Sequence, residues 1–198
     1  MGVGITEKLL KHLYVNRGLS DAEIASFVGL DRTAIVRMRN SFEIVARKSL
    51  GEVGEEYVEE KLRELGHDVR NMNGHSKTSI FDLLADGGTR IEVKTAKNTN
   101  GSFVFSLSNK EECNQIESDY RIRLTNGRTR KLYRKTCDFI VCVGIKNNTF
   151  YPYIIPSSEI NDKLQGIRIS PSINTKYAHY YQQWDQIKKP DVGASDPK

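Results

Sequence analysis

The run Asp138–Ile145 (DFIVCVGI) is apolar at nearly every position. Successive apolar side chains point to opposite faces of a strand, so this strand needs cover on both sides. That requirement selects a layered sheet. Thr149–Ile155, stopped by Pro156, reads as a second strand. Upstream, Ser79–Ala85 and Thr89–Ala96 read as two strands joined by a hairpin turn at Asp86-Gly87-Gly88, and Phe103–Ser106 continues in strand style. A helix is expected over 49–65, with Ser49 as cap and Gly66 as stop. Tyr177, Tyr180, Tyr181, Trp184 and Ile187 fall on one helical stripe and predict a closing helix. The class is α/β, a central mixed β-sheet flanked by helices.

A small all-α module precedes it. Leu9, Leu10, Leu13 and Tyr14 form a stripe over 6–17, ended by Gly18. Ser20 caps Asp21–Val28 with Glu23 in a capping box, Gly29 breaks that helix, and Asp31 caps Arg32–Asn40. Residues 1–46 are therefore expected to form one domain, 47–190 a second, and 191–198 a disordered tail. Ala25, Gly29 and Ile35 give the small residue, turn glycine and branched apolar residue of a helix-turn-helix, and the segment resembles that of bacterial regulators. Arg32, Thr33 and Arg37 are the side chains expected to face a major groove, with Arg39 on phosphate.

Charge narrows the partners. Lys and Arg number 30 against 25 acids, and within 120–137 stand Arg121, Arg123, Arg128, Arg130, Lys131, Arg134 and Lys135 with no acid. A basic hairpin turning at Asn126-Gly127 suits DNA phosphates, and Arg121, Arg123, Arg128, Arg130 and Lys131 are its candidate contacts. A helix is expected near 109–120. Cys113, Cys137 and Cys142 have no C-x-x-C spacing, which argues against a disulfide framework or structural zinc and suits a reducing cytoplasm. No secretory signal is read in the first thirty residues, and no apolar run reaches the roughly 20 residues needed to span a bilayer, so no membrane partner is expected. The histidines, His12, His67, His75 and His179, are scattered and read as surface or packing residues.

One constellation carries chemistry. Asp82 lies on the first strand of the 79–96 hairpin, while Glu92 and Lys94 share a face of the second and Val93 points to the core. Two carboxylates brought together favour a cation between them, and oxygen donors favour Mg²⁺. A lysine beside that ion orients or deprotonates a water, a fit for phosphodiester hydrolysis.

Phe81-Asp82, nine intervening residues, then Glu92-Val93-Lys94, preceded by Gly54-Glu55 on a helix, resembles the PD-(D/E)XK nucleases over roughly 49–187. Phe81 stands where that family often has proline. The resemblance implies a restriction-endonuclease-like core, with Asp82 and Glu92 on Mg²⁺ (Mn²⁺ as substitute), the Val93 carbonyl as a further ligand, Lys94 on the attacking water, and Glu55 reaching the metal directly or through water. Glu55 is preferred because it lies at the edge of the apolar stripe Leu50, Val53, Tyr57, Val58, Leu62 and Leu65, whereas Glu56 and Glu59 turn towards solvent. Gly51 and Gly54 are expected to permit close approach of the helix.

The expected function is a metal-dependent endonuclease on double-stranded DNA, site-specific in the manner of homing or restriction enzymes, and a homodimer. Two other readings stand beside it: a structure-selective nuclease such as a Holliday-junction resolvase, and a helix-turn-helix regulator without catalysis.

Overall fold

The structure, a computed structural model, describes residues 5–73, 79–109, 118–171 and 175–188. His75, Cys113, most of the 109–120 helix and the 191–198 tail lie outside them. The chain divides into two compact units, Met1–Arg47 and Lys48–Lys198.

In the first unit, α1 (Glu7–Lys11) continues into a π-turn over His12–Asn16, followed by α2 (Asp21–Val28) and α3 (Arg32–Ser41). The boundaries follow from local chemistry. Ser20 and Glu23 exchange side-chain and backbone hydrogen bonds in a capping box. Gly29 ends α2 with φ 72°, a left-handed conformation that suits glycine. The Asp31 carboxylate accepts from the Thr33 and Ala34 amides. Leu10, Leu13, Tyr14, Ile24, Ala25, Ile35 and Ile44 are buried together. Leu9 is partly exposed rather than part of that core.

The second unit opens with α4 (Leu50–Glu64), whose capping box is Ser49–Glu52. Its buried face sits on a mixed sheet. Strands β1 (Val69–Asn71), β2 (Leu83–Ala85) and β3 (Thr89–Thr99) are antiparallel neighbours. β7 (Phe139–Lys146) runs parallel to β3 from Ile91↔Phe139 to Lys97↔Ile145, and β8 (Thr149–Pro156) returns antiparallel to β7. β4 (Ser102–Ser106) pairs with the far end of β3 and with β9 (Gly166–Ile169). A separate two-stranded hairpin, β5 (Arg121–Arg123) and β6 (Thr129–Lys131), leads into the short α5 (Tyr133–Thr136).

β7 has the two-sided burial expected of its apolar run. Val141 and Val143 face α4 with Val58 and Leu62, and Ile140 and Cys142 face a layer containing Phe103, Phe105, Ile167 and Tyr133. Phe103 lies so tightly over β7 that a Cβ at Gly144 would meet its ring at 2.5 Å.

Three expectations are corrected. The stripe Tyr177–Ile187 is not a helix. It consists of two 3₁₀ turns, Ala178–Tyr180 and Trp184–Gln186. Between them Tyr181 bridges Tyr153 of β8, and Gln182, at φ 55°, donates its amide to the Pro152 carbonyl. Pairing with the sheet edge replaces helical hydrogen bonds, and of the stripe Tyr177, Trp184 and Ile187 are still buried while Tyr181 is exposed. The sheet is accordingly not flanked by helices on both faces. One long helix covers one face, and strands, α5 and turns cover the other. Finally, the strand expected over 79–85 is only Leu83–Ala85, which leaves Asp82 just ahead of it.

Candidate active site at a fork in the sheet

One edge of β3 follows β7 continuously from Ile91 to Lys97. Its other edge pairs with β2 only at Thr89–Ile91 and with β4 only at Asn98–Thr99. The interval between is a fork, and the predicted site lies there. The Asp82 amide still donates to the Ile91 carbonyl at 3.0 Å. One step later the Asp82 carboxylate takes the place of a neighbouring strand and accepts from the Val93 amide at 2.8 Å. In a strand, the N–H and C=O of one residue face the same edge. The Val93 carbonyl is therefore turned to the Asp82 side.

Glu55 arrives from α4. The approach depends on Gly54, where a Cβ would fall 1.8 Å from Thr95 Oγ1. Gly51 does not serve this purpose, because its side faces open space beyond Ser49. Asn73 joins the two carboxylates: its amide nitrogen donates to Glu55 at 2.9 Å and to Asp82 at 3.2 Å. Glu56 instead pairs with Lys48, and Glu59 with Arg63 and Asn71. Of the helix glutamates, Glu55 is the one linked to Asp82.

On the other face of β3, Glu92 is 1% exposed yet charged. Lys94 Nζ lies 2.5 Å from Oε1, and Lys131 Nζ lies 2.7 Å from Oε2 and 3.0 Å from Oε1. Burial would raise the Glu92 pKa, but the two ammoniums outweigh it and hold the carboxyl below its ordinary value. Burial likewise opposes the charge on Lys94, while Glu92 overcomes it and the lysine holds its proton more firmly than usual. Tyr133 backs the pair, with Lys94 Nζ 6.0 Å from its ring centre.

Asp82 and Glu55 show the opposite behaviour. Burial, then the Glu92 charge, raises Asp82, and burial, then the Asp82 charge, raises Glu55 despite the Asn73 hydrogen bond. Both bind a proton more tightly folded than unfolded, so folded stability falls as pH rises through the carboxylate range. In EDTA at pH 7, Asp82→Asn should therefore unfold about 2–4 °C higher than the native chain. The gain should shrink as pH is lowered towards the ordinary aspartate value, and thermal melts across pH test it; a native chain equally stable or more stable at neutral pH would contradict it.

The donor set can be tested against a hard divalent cation. Carboxylate oxygens and a strand carbonyl are suitable donors for such an ion. With side chains placed as they are, however, no group of three or more His, Cys, Asp or Glu among the described residues closes around a single point. Asn73 Nδ2 stands between Glu55 and Asp82, and lysines hold Glu92 away. The donors fit the ion in chemistry; as placed, Asn73 bridges Glu55 and Asp82, and Lys94 and Lys131 pair with Glu92.

The predicted DNA contacts divide. Arg32, Thr33 and Arg37 are exposed on α3, as are Arg123 and Arg128 on the basic hairpin, and Arg121 is half-buried. Arg39 is not available to phosphate: it is buried, donates to Asp21 at 3.1 Å and to the Ile44 carbonyl at 3.0 Å, and lies over Tyr14. Arg130 is also withdrawn, fully buried over Tyr133 and bonded to Asp162. Lys131 faces Glu92 rather than solvent. Asn73 and this role of Lys131 escape a sequence reading, because both depend on contacts between segments distant in the chain.

No protein-family profile and no curated protein matches the chain. No helix among the described residues is long and apolar enough to cross a membrane. Among solved structures, a bacterial homing endonuclease, I-Ssp6803I, superposes with a TM-score of 0.52 at 13% identity, over 70% of this chain and 90% of that one. The chain thus shares a nuclease-like α/β fold with that enzyme.

Proposed function

We propose that the chain is a divalent-metal-dependent DNA endonuclease of the PD-(D/E)XK type. The observation that supports this is the unpaired edge of β3, where Asn73 joins Glu55 to Asp82 and Asp82 accepts from the Val93 amide, flanked on the same strand by the Glu92–Lys94 pair. Asp82, Glu92, the Val93 carbonyl and Glu55 would hold Mg²⁺ or Mn²⁺. A cation there would stabilise charge developing on the phosphate. Lys94, which donates to Glu92 at 2.5 Å, would orient or activate the attacking water. Asp82 is itself fixed by the Val93 amide, so the carboxylate is aimed by main chain of the same strand that carries Glu92 and Lys94.

The likeness to a homing endonuclease supports a nuclease reading and, with it, a site-specific one. In this reading α2 and α3 form a helix-turn-helix that selects the site through Arg32, Thr33 and Arg37, while Arg121, Arg123 and Arg128 contact phosphates. Two copies would cut the two strands of a symmetric target. The test is incubation of the full chain with plasmid and phage DNA in Mg²⁺ and in EDTA. Discrete fragments in Mg²⁺ alone are expected. DNA binding that is unaffected by EDTA and never followed by nicking would leave a binding protein.

A further inference from the structure

Glu92 has one negative charge and two ammonium partners. Lys94 comes from its own strand and belongs to the motif. Lys131 comes from β6, in a hairpin that is not part of the main sheet. It spans both oxygens of Glu92 and donates also to the Ile80 carbonyl at 3.1 Å, beside Asp82 in the chain. Both oxygens of Glu92 are therefore engaged by Lys131, and one of them by Lys94 as well.

The hairpin also shows where Lys131 could go. Arg121 is its cross-strand partner, and Arg123 pairs with Thr129 two positions further along. Side chains directly opposite in a pair share a face. Arg121, Arg123, Lys131 and the buried Thr129 thus share one face of the hairpin, which reaches Glu92 through Lys131. Arg130, between Thr129 and Lys131, points to the other face and is buried against Tyr133 and Asp162. That anchor fixes the backbone, so Lys131 can exchange partners by rotating its flexible side chain alone.

We infer that Lys131 is a positioning residue that couples DNA to metal: without DNA its ammonium takes the metal's place on Glu92, and a DNA phosphate on the Arg121–Arg123 row draws it away and releases the carboxylate. This rests on the endonuclease reading above. The coupling is reciprocal, as linkage requires. Removing the ammonium should favour metal in the absence of DNA, and Lys94 still compensates the Glu92 charge in that variant.

Mn²⁺ titrated into the full, DNA-free chain, followed by electron paramagnetic resonance, reads the first arm. Lys131→Met should bind Mn²⁺ roughly tenfold more tightly than the native chain. Lys131→Arg, which keeps a cation on Glu92, should stay close to native. Should the methionine variant fail to fold in a thermal melt, Lys131→Gln makes the same comparison. DNA binding in EDTA at several salt concentrations reads the second arm: the log–log slope should fall by about one for Lys131→Met, the loss of one phosphate contact. Unchanged or weaker Mn²⁺ binding by the neutral variants, in a chain that cleaves DNA, overturns the coupling and leaves the endonuclease standing. An unchanged salt slope overturns it too. No Mn²⁺ binding and no cleavage by any form would overturn the endonuclease reading and the inference together.

Discussion

Lys94→Ala should lower metal-dependent DNA cleavage by about two to four orders of magnitude, the range for loss of a positioned catalytic side chain. Its effect on folding should be much smaller. Lys94 is partly exposed, and Glu92 keeps Lys131 as a partner. DNA affinity in EDTA should change little, because the arginines proposed to contact phosphate lie elsewhere. The measurements are initial cleavage rates on a fixed DNA substrate, a thermal melt and a binding isotherm. Cleavage that persists within severalfold of native would remove Lys94 from the reaction and with it the role given to the E-V-K strand.

Gly54→Ala should be strongly damaging to the second unit. The added methyl would lie 1.8 Å from Thr95 Oγ1 and about 3 Å from two Thr95 carbons. Both are on packed elements, so either α4 lifts from β3 or the threonine leaves its rotamer. Overpacking of this kind costs about 1–3 kcal/mol, and more where neither side yields. Displacing α4 also carries Glu55 away from Asn73 and Asp82, so activity should fall along with the melting temperature. The double variant Gly54→Ala, Thr95→Ala relieves the clash and should recover most of both. Gly51→Ala, in open space, serves as the neutral control. A Gly54→Ala chain as stable and active as native would mean that α4 does not need its close approach.

What could be read from the sequence was local. Ser20 with Glu23, Asp31 and Ser49 cap the helices they precede because a cap is made within three residues. Gly29 and Gly66 end helices at positive φ. The two-sided burial of β7 follows from its composition. Two further hairpin turns have local signatures: Asn100-Gly101 and Asn147-Asn148 both take positive φ, the conformation tight hairpins demand. The aromatic stripe at 177–187 misled because helical spacing also suits a segment that touches a sheet edge intermittently. The arginines show the limit most plainly. Arg39, Arg130 and Arg123 look alike in sequence, yet Asp21 and Tyr14 bury the first and Tyr133 and Asp162 the second. In the candidate site, the sequence names Glu55, Asp82, Glu92 and Lys94 as candidates, and the structure links Glu55 to Asp82 through Asn73. Asn73 could not be named from the sequence, since nothing in its own segment records that two carboxylates flank it.

The divergence of β2 from β3 also limits how this architecture can be altered. Had β2 begun two residues earlier, regular pairing would have consumed the Val93 amide and turned Asp82 into an ordinary rung of the ladder. A more continuous sheet, with one more main-chain bond to its credit, would then have no place for a charged side chain to take hold of the backbone. The open seam is what lets Asp82 bind the Val93 amide, and a chain selected for stability alone would be expected to close it.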